Sequence, residues 1–163
     1  MCMSGAARQP AKTDTPTPNA SPRRLNMRLD PAAFHADPEL LNGLEPESAP
    51  IVCNDFRVLF KQGDNPDGLY ILKSGNATLT MNSPQGKQLF SLQPDPGSVL
   101  GLPGLIGNEP YTLTAVAHPG AELGYISRKQ FLALMSSDQL LSFKVLQVLA
   151  AEVRSARNAL RDR

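Results

Sequence analysis

The stretch from Gly97 to Ala117, GSVLGLPGLIGNEPYTLTAVA, holds the densest chemical pattern in the chain. Gly97, Gly101, Gly104 and Gly107 are followed by Pro110 and then by a run in which apolar residues alternate with threonine. Glycine-dense backbone that turns through a short helix and re-enters a strand can wrap its own N–H groups around an anionic ligand. Other candidates carry less. Cys53 lies in an apolar run and reads as a small core residue, while His35 and His118 stand alone, so no metal-ligand spacing is present. An iron–sulfur cluster would need a cysteine cluster, which the sequence lacks. A nucleophile elbow, catalytic carboxylates at recognisable spacing and a Walker-type loop are all missing. The residues therefore point to a non-enzymatic binding protein with no cofactor and no metal.

Elements able to position such a loop follow from size and pattern. A chain of 163 residues holds one domain comfortably. Its net charge of +1 gives no overall pull towards nucleic acid, yet the charge is uneven. Arg8, Lys12, Arg23, Arg24 and Arg28 face only Asp14 at the start, and Asp30, Asp37, Glu39, Glu45 and Glu47 follow without a base. Cys2 and Cys53 are the only cysteines, which rules out a disulfide framework and fits a reducing compartment. With no apolar run near the ~20 residues of a membrane helix and no apolar core near the start, a cytoplasmic protein is expected.

Residues 1–28, rich in Pro, Ser and Thr and poor in large apolar residues, read as a disordered basic tail. The folded domain is expected over 29–163, beginning with short helices over 29–48. Asp30-Pro31 and Asp37-Pro38 each supply an N-cap followed by proline, and Gly43 is placed at the end of the second helix. Between 51 and 127 the pattern becomes short strands. Ile51 to Cys53, Val58 to Phe60, Leu69 to Leu72, Ala77 to Asn82, Lys87 to Leu92, Tyr111 to Ala117 and Ala121 to Ile126 are separated by Gly-, Asn- and Pro-rich turns. About eight short strands in one small domain predict a mainly β fold with flanking helices. The architecture expected is a jelly-roll-like β-roll, a cupin-like double-stranded β-helix. From 128 to 163 the period is helical, with Ser127 as a cap and Ser137 or Asp138 opening a long final helix. Leu146, Leu149, Val153, Ala156 and Leu160 recur every three or four residues, a heptad-like seam predicting a homodimer. A helix running past the last strand is expected to have little of its own domain to lie on.

The Gly97–Ala117 stretch resembles the phosphate-binding cassette of the cyclic-nucleotide-binding domain family. It aligns without gaps to Phe-Gly-Glu-Leu-Ala-Leu, a short loop, and Pro-Arg-Ala-Ala-Thr. Phe60-Lys61-Gln62-Gly63-Asp64, Gly68 to Gly75 and Ser83-Pro84-Gln85-Gly86-Lys87 are similar to the family's apolar-x-x-Gly-Asp, Tyr-x-(Ile/Val)-x-x-Gly and hairpin runs. The order and spacing are most similar to the catabolite-activator (Crp/Fnr) regulators. There the long helix makes a parallel dimer seam and a winged helix-turn-helix follows. The present sequence, ending at Arg163, is expected to be a standalone effector domain without specific DNA binding.

The resemblance implies a ligand pocket formed by Leu100, Gly101, Leu102, Pro103, Gly104, Pro110, Tyr111 and Thr112. In ligand-binding members the cassette Glu accepts from the ribose 2′-OH and the Arg pairs with the cyclic phosphate. Leu102 and Tyr111 occupy those two positions here. Leu102 can do neither job, and Tyr111 offers a neutral hydroxyl where a bidentate cation is needed. Charge-assisted hydrogen bonds contribute ~1.5–3 kcal/mol each, so losing both weakens affinity by roughly two to four orders of magnitude. The amides opening the helix at Pro103 would retain a modest preference for anions. Two readings of the pair follow. Either the pocket is retuned for a flatter, less charged, nucleotide-like small molecule, with Tyr111 as a handle, or it is filled by its own side chains and the roll acts through protein contacts. The expected function is a cyclic-nucleotide-binding-like regulatory or sensor domain, not membrane-bound. The alternatives are a true cyclic nucleotide receptor of altered specificity and a component of a Crp/Fnr-type transcription regulator that meets DNA non-specifically or through a partner.

Overall fold

The computed structural model describes residues 28–162. The tail read over residues 1–28 therefore lies, apart from Arg28, outside the described residues. Asp30 caps a 3-10 turn, Pro31–Phe34, and Asp37 caps helix α1, Pro38–Leu44, with side-chain oxygens accepting from the amides of Ala32 and Leu40 at 2.9 Å. The expected stop at Gly43 does not occur. The helix continues to Leu44 and passes into a 3-10 turn, Glu45–Glu47. Gly43 instead gives room to Leu141, whose methyl carbons would collide with any Cβ placed there.

Eight strands follow: β1 Ala49–Val52, β2 Arg57–Phe60, β3 Gly68–Ser74, β4 Ala77–Asn82, β5 Gln88–Leu92, β6 Val99–Leu100, β7 Thr114–Ala117 and β8 Glu122–Ser127. They form two four-stranded antiparallel sheets in the orders β1-β8-β3-β6 and β2-β7-β4-β5. Helix α2, Leu102–Gly107, is inserted between β6 and β7. Val99–Leu100 was not separated from the glycine run by sequence, since two residues give no period to read. Tyr111 to Leu113, expected to open the next strand, form a loop instead. Their backbone is fixed by the turn after β2, with Gly63 N donating to Tyr111 O and Tyr111 N to Asp64 O.

Period-two alternation divides β3 between two cores. Tyr70 and Leu72 face the cluster between the sheets with Phe60, Leu79, Ala115 and Leu123. Leu69 and Ile71 face the helices, packing with Leu40, Leu102, Phe131 and Val145. Helix α3, Arg128–Ser137, starts with a Ser127/Gln130 capping box, and Asp138 caps the long helix α4, Gln139–Arg161, by accepting from Leu141 N at 3.1 Å.

The structure overturns one expectation about α4. The helix lies along its own domain and buries Leu141, Val145, Val148, Ser155 and Ala159. It is fastened to the N-terminal pieces, where Ser155 Oγ accepts from Asp30 N at 2.8 Å and Lys144 Nζ meets Asp37 Oδ2 at 2.7 Å. The Lys144 ammonium holds the Asp37 carboxyl below its usual range. The acidic N-terminal segment supplies the surface that the strands alone would not. Of the predicted seam, Leu149 and Ala156 are half-buried, whereas Leu146, Val153 and Leu160 remain 58%, 49% and 53% exposed, with Leu140 and Phe143 beside them.

Close approach of two turns makes one glycine irreplaceable. Gly75 has φ 84°, and a Cβ there would stand 2.7 Å from the Cα of Ala121, a backbone atom that cannot step aside. Gly86 has nearly the same φ, 83°, but open space around it. Gly86→Ala is expected to cost about 1 kcal/mol from left-handed strain alone, and Gly75→Ala distinctly more. Urea midpoints check the difference, and equal losses would contradict the packing account.

Candidate functional site

The cassette begins where β6 leaves the first sheet. Gly101 takes φ 94°, turning the chain directly into α2, and Asn108, at φ 53°, ends that helix. The helix opens at Leu102, one residue before Pro103, with no side-chain cap. Six residues give it little dipole to offer an anion. Its C-terminal end is held by Arg128, whose Nε donates to Leu105 O at 3.2 Å.

A small cavity of about 30 Å³ lies between the cassette, the inter-sheet core and α4. Six of the predicted pocket residues line it: Leu100, Gly101, Pro103, Gly104, Tyr111 and Thr112. Two do not. Leu102 turns away into the helical cluster, fully buried with Leu105, Ile126 and Phe131, and Pro110 is exposed on the loop outside. The remaining lining comes from Phe34, Phe60, Leu79, Leu113 and Glu152.

Tyr111 fills the centre. Its ring is 3% exposed and stacks on Phe60 with centroids 4.0 Å apart and planes 19° from parallel. The hydroxyl donates to Gly68 O at 2.5 Å and accepts from Gly68 N at 3.2 Å, with Asp67 Oδ1 3.1 Å away. Burial is the main reason its ionisation is pushed up to about 12, reinforced by the Asp67 carboxylate. The same turn is gripped elsewhere, since Tyr125 Oη and Arg128 N both donate to Asp67 O. Tyr111 is therefore a neutral, internally satisfied side chain with no free donor for a phosphate.

Glu152 is the residue that sequence reasoning missed. Its Oε2 is buried without a hydrogen-bond partner among the described residues, and burial alone pushes its carboxyl up to about 8. The signal was present in the spacing. Leu141, Val145, Val148, Glu152, Ser155 and Ala159 follow one another at intervals of four and three, so a lone acid interrupts the inward stripe of α4. Phe34 was read only as an apolar point of the first helical piece, because its contact with the cassette joins residues far apart in sequence.

Ordinary chemistry sets the sign of the pH dependence. A Glu carboxyl usually titrates near 4.5, whereas the folded protein holds the Glu152 proton up to about 8. Between these values the native state binds more protons than the unfolded chain, so its stability falls as pH rises, by up to ~1.4 kcal/mol per pH unit from this group. Glu152→Gln is expected to remove that slope, so that variant and wild type diverge from pH 5 to pH 8. Parallel urea midpoints across this range would show that the carboxyl is not buried as described.

Similarity to known proteins agrees with this geometry. Residues 54–138, just over half of the chain, match the cyclic nucleotide-binding domain family. The cyclic AMP receptor protein of Thermus thermophilus is 27% identical over 125 residues, which cover 72% of this chain and 58% of the relative. The crystal structure of the Thermus thermophilus catabolite activator protein superposes with a TM-score of 0.67 at 25% identity, covering 81% of this chain and 62% of that one. The N-terminal domain of a Streptomyces coelicolor transcriptional regulator has the same fold, with a TM-score of 0.58 at 21% identity over 84% of this chain and 94% of its own. The chain thus spans less than two thirds of both Thermus proteins. With the β-roll, the cassette between β6 and β7 and the long closing helix all in place, the chain belongs to the cyclic nucleotide-binding domain family.

Proposed function

We propose that this domain is a non-catalytic regulatory module that does not respond to cyclic AMP or cyclic GMP. It keeps the family's cassette as a folded unit, and it acts through another ligand or through protein contacts as a homodimer. The observation that carries this reading is Tyr111. At the position where the resemblance implies an arginine for the cyclic phosphate, its hydroxyl is committed to Gly68 and its ring to Phe60. The cavity beside it measures about 30 Å³, whereas pockets for drug-sized ligands run to about 300–1,000 Å³.

Self-association is supported by the stripe that α4 leaves uncovered. Leu146, Val153 and Leu160 follow one another at intervals of seven, and Phe143 precedes Leu146 by three. That is a heptad seam on the face opposite the one packed on the domain. Glu at both 146 and 153 would set like charges across such a seam while leaving the buried stripe intact. The double variant is expected to be a folded monomer in light scattering, and an unchanged dimer mass or a monomeric wild type would overturn the seam.

Calorimetry decides the ligand question. The wild type is expected to bind cyclic AMP and cyclic GMP no more tightly than high micromolar, as the lost charged contacts imply. Submicromolar binding of either would refute the proposal and favour a receptor like the Thermus cyclic AMP receptor protein.

A further inference from the structure

We infer that the cassette cavity is a site for a small organic cation, a primary alkyl- or arylalkylammonium, whose head group pairs with Glu152. The inference rests on the preceding reading that Tyr111 has displaced nucleotide chemistry, and it gives the ligand class for the same cavity.

Three observations converge. The first is the unpartnered carboxyl oxygen of Glu152, buried in the wall of a cavity. A buried polar group without a partner is costly, and a charged one more so, which makes a partner supplied from outside strongly favourable. The second is the remaining lining. Phe34, Phe60 and Tyr111 supply aromatic surface, and aromatic faces with one carboxylate suit an ammonium group. The third is size. About 30 Å³ admits a group of one or two heavy atoms. Pro103 and Thr112 line the cavity and are both exposed, so the side on which they lie is where the rest of a ligand would reach solvent.

Among the described residues, competing charges are absent from the lining. The pieces contributed by the Pro31–Phe34 turn, β2, β4, β6 and α2 carry no ionisable side chain, and the only titratable partner facing Glu152 there is the neutral Tyr111. Among the described residues the carboxyl meets no built-in cation. Because it is held protonated up to about 8, an ammonium ion that binds must expel that proton. Affinity is then expected to rise tenfold per pH unit between pH 6 and pH 7.5 and to level off above 8. Glu152 belongs to α4, so a cation seated on it contacts the helix proposed to dimerise.

The test titrates the whole chain with methylammonium and benzylammonium chloride by calorimetry and thermal shift. Sodium chloride at matched ionic strength and benzyl alcohol serve as controls. At least one ammonium probe is expected to raise the melting temperature where both controls do not. Its affinity should follow the stated pH profile, with proton release seen as a buffer-dependent heat. Glu152→Gln, which keeps the shape of the side chain, is expected to stay folded, lose at least tenfold in affinity and show no pH profile. Glu152→Leu provides a second non-binding variant. Absence of stabilisation by both probes, or equal binding by Glu152→Gln, overturns the inference. Cyclic AMP and cyclic GMP are titrated in parallel: their tight binding would defeat the underlying proposal, whereas silence from all four compounds would defeat only the cation site.

Discussion

One buried hydroxyl holds the site together. The Tyr111 Oη exchanges hydrogen bonds with both the carbonyl and the amide of Gly68, the first residue of β3, and thereby ties the cassette loop to the strand shared by both cores. A buried phenol left unpaired would cost about 1–3 kcal/mol, so ring and turn must move together or not at all. Enlarging the cavity to nucleotide size means breaking these bonds and the Phe60 stack at once. The constraint reaches the helices as well, because the Asp67 carbonyl in the same turn accepts from the first amide of α3.

Much of this was legible in the sequence, for local reasons. Asp30, Asp37 and Ser127 are capping residues followed by helical pattern, and each caps the element expected of it, while of the two candidates Ser137 and Asp138 it is Asp138 that caps α4. Strict alternation exposed β4, and turn-rich punctuation separated most of the strands. What escaped was tertiary. Gly43 reads as a helix stop until Leu141, nearly a hundred positions later, occupies the space above it. Leu102 aligns with a ligand-contacting position, yet it is drawn into the helical core because α2 offers an apolar residue at its first position and the core has room for it.

The final helix shows how a correct periodicity can lead to an incomplete conclusion. Two stripes run along α4, and the heptad reasoning found mainly the outer one. The inner stripe, 141-145-148-152-155-159, is as regular, and the chain satisfies it with its own N-terminal segment. An acid at 152 breaks that stripe, and packing has no use for a carboxyl there. Stability would be better served by an apolar residue at this position. The helix therefore joins the cavity on one face to the exposed apolar seam on the other.

The most direct test of the account is the Tyr111 hydroxyl proton observed by proton NMR at neutral pH. Donated to Gly68 O by a buried ring, it is predicted to exchange slowly enough to give a resolved signal. That signal should show a nuclear Overhauser contact to the Gly68 amide and stay unchanged when cyclic AMP is added in millimolar excess. A hydroxyl lost to rapid exchange, or Tyr111 ring signals that shift saturably with cyclic AMP, would contradict a cassette closed by its own side chain.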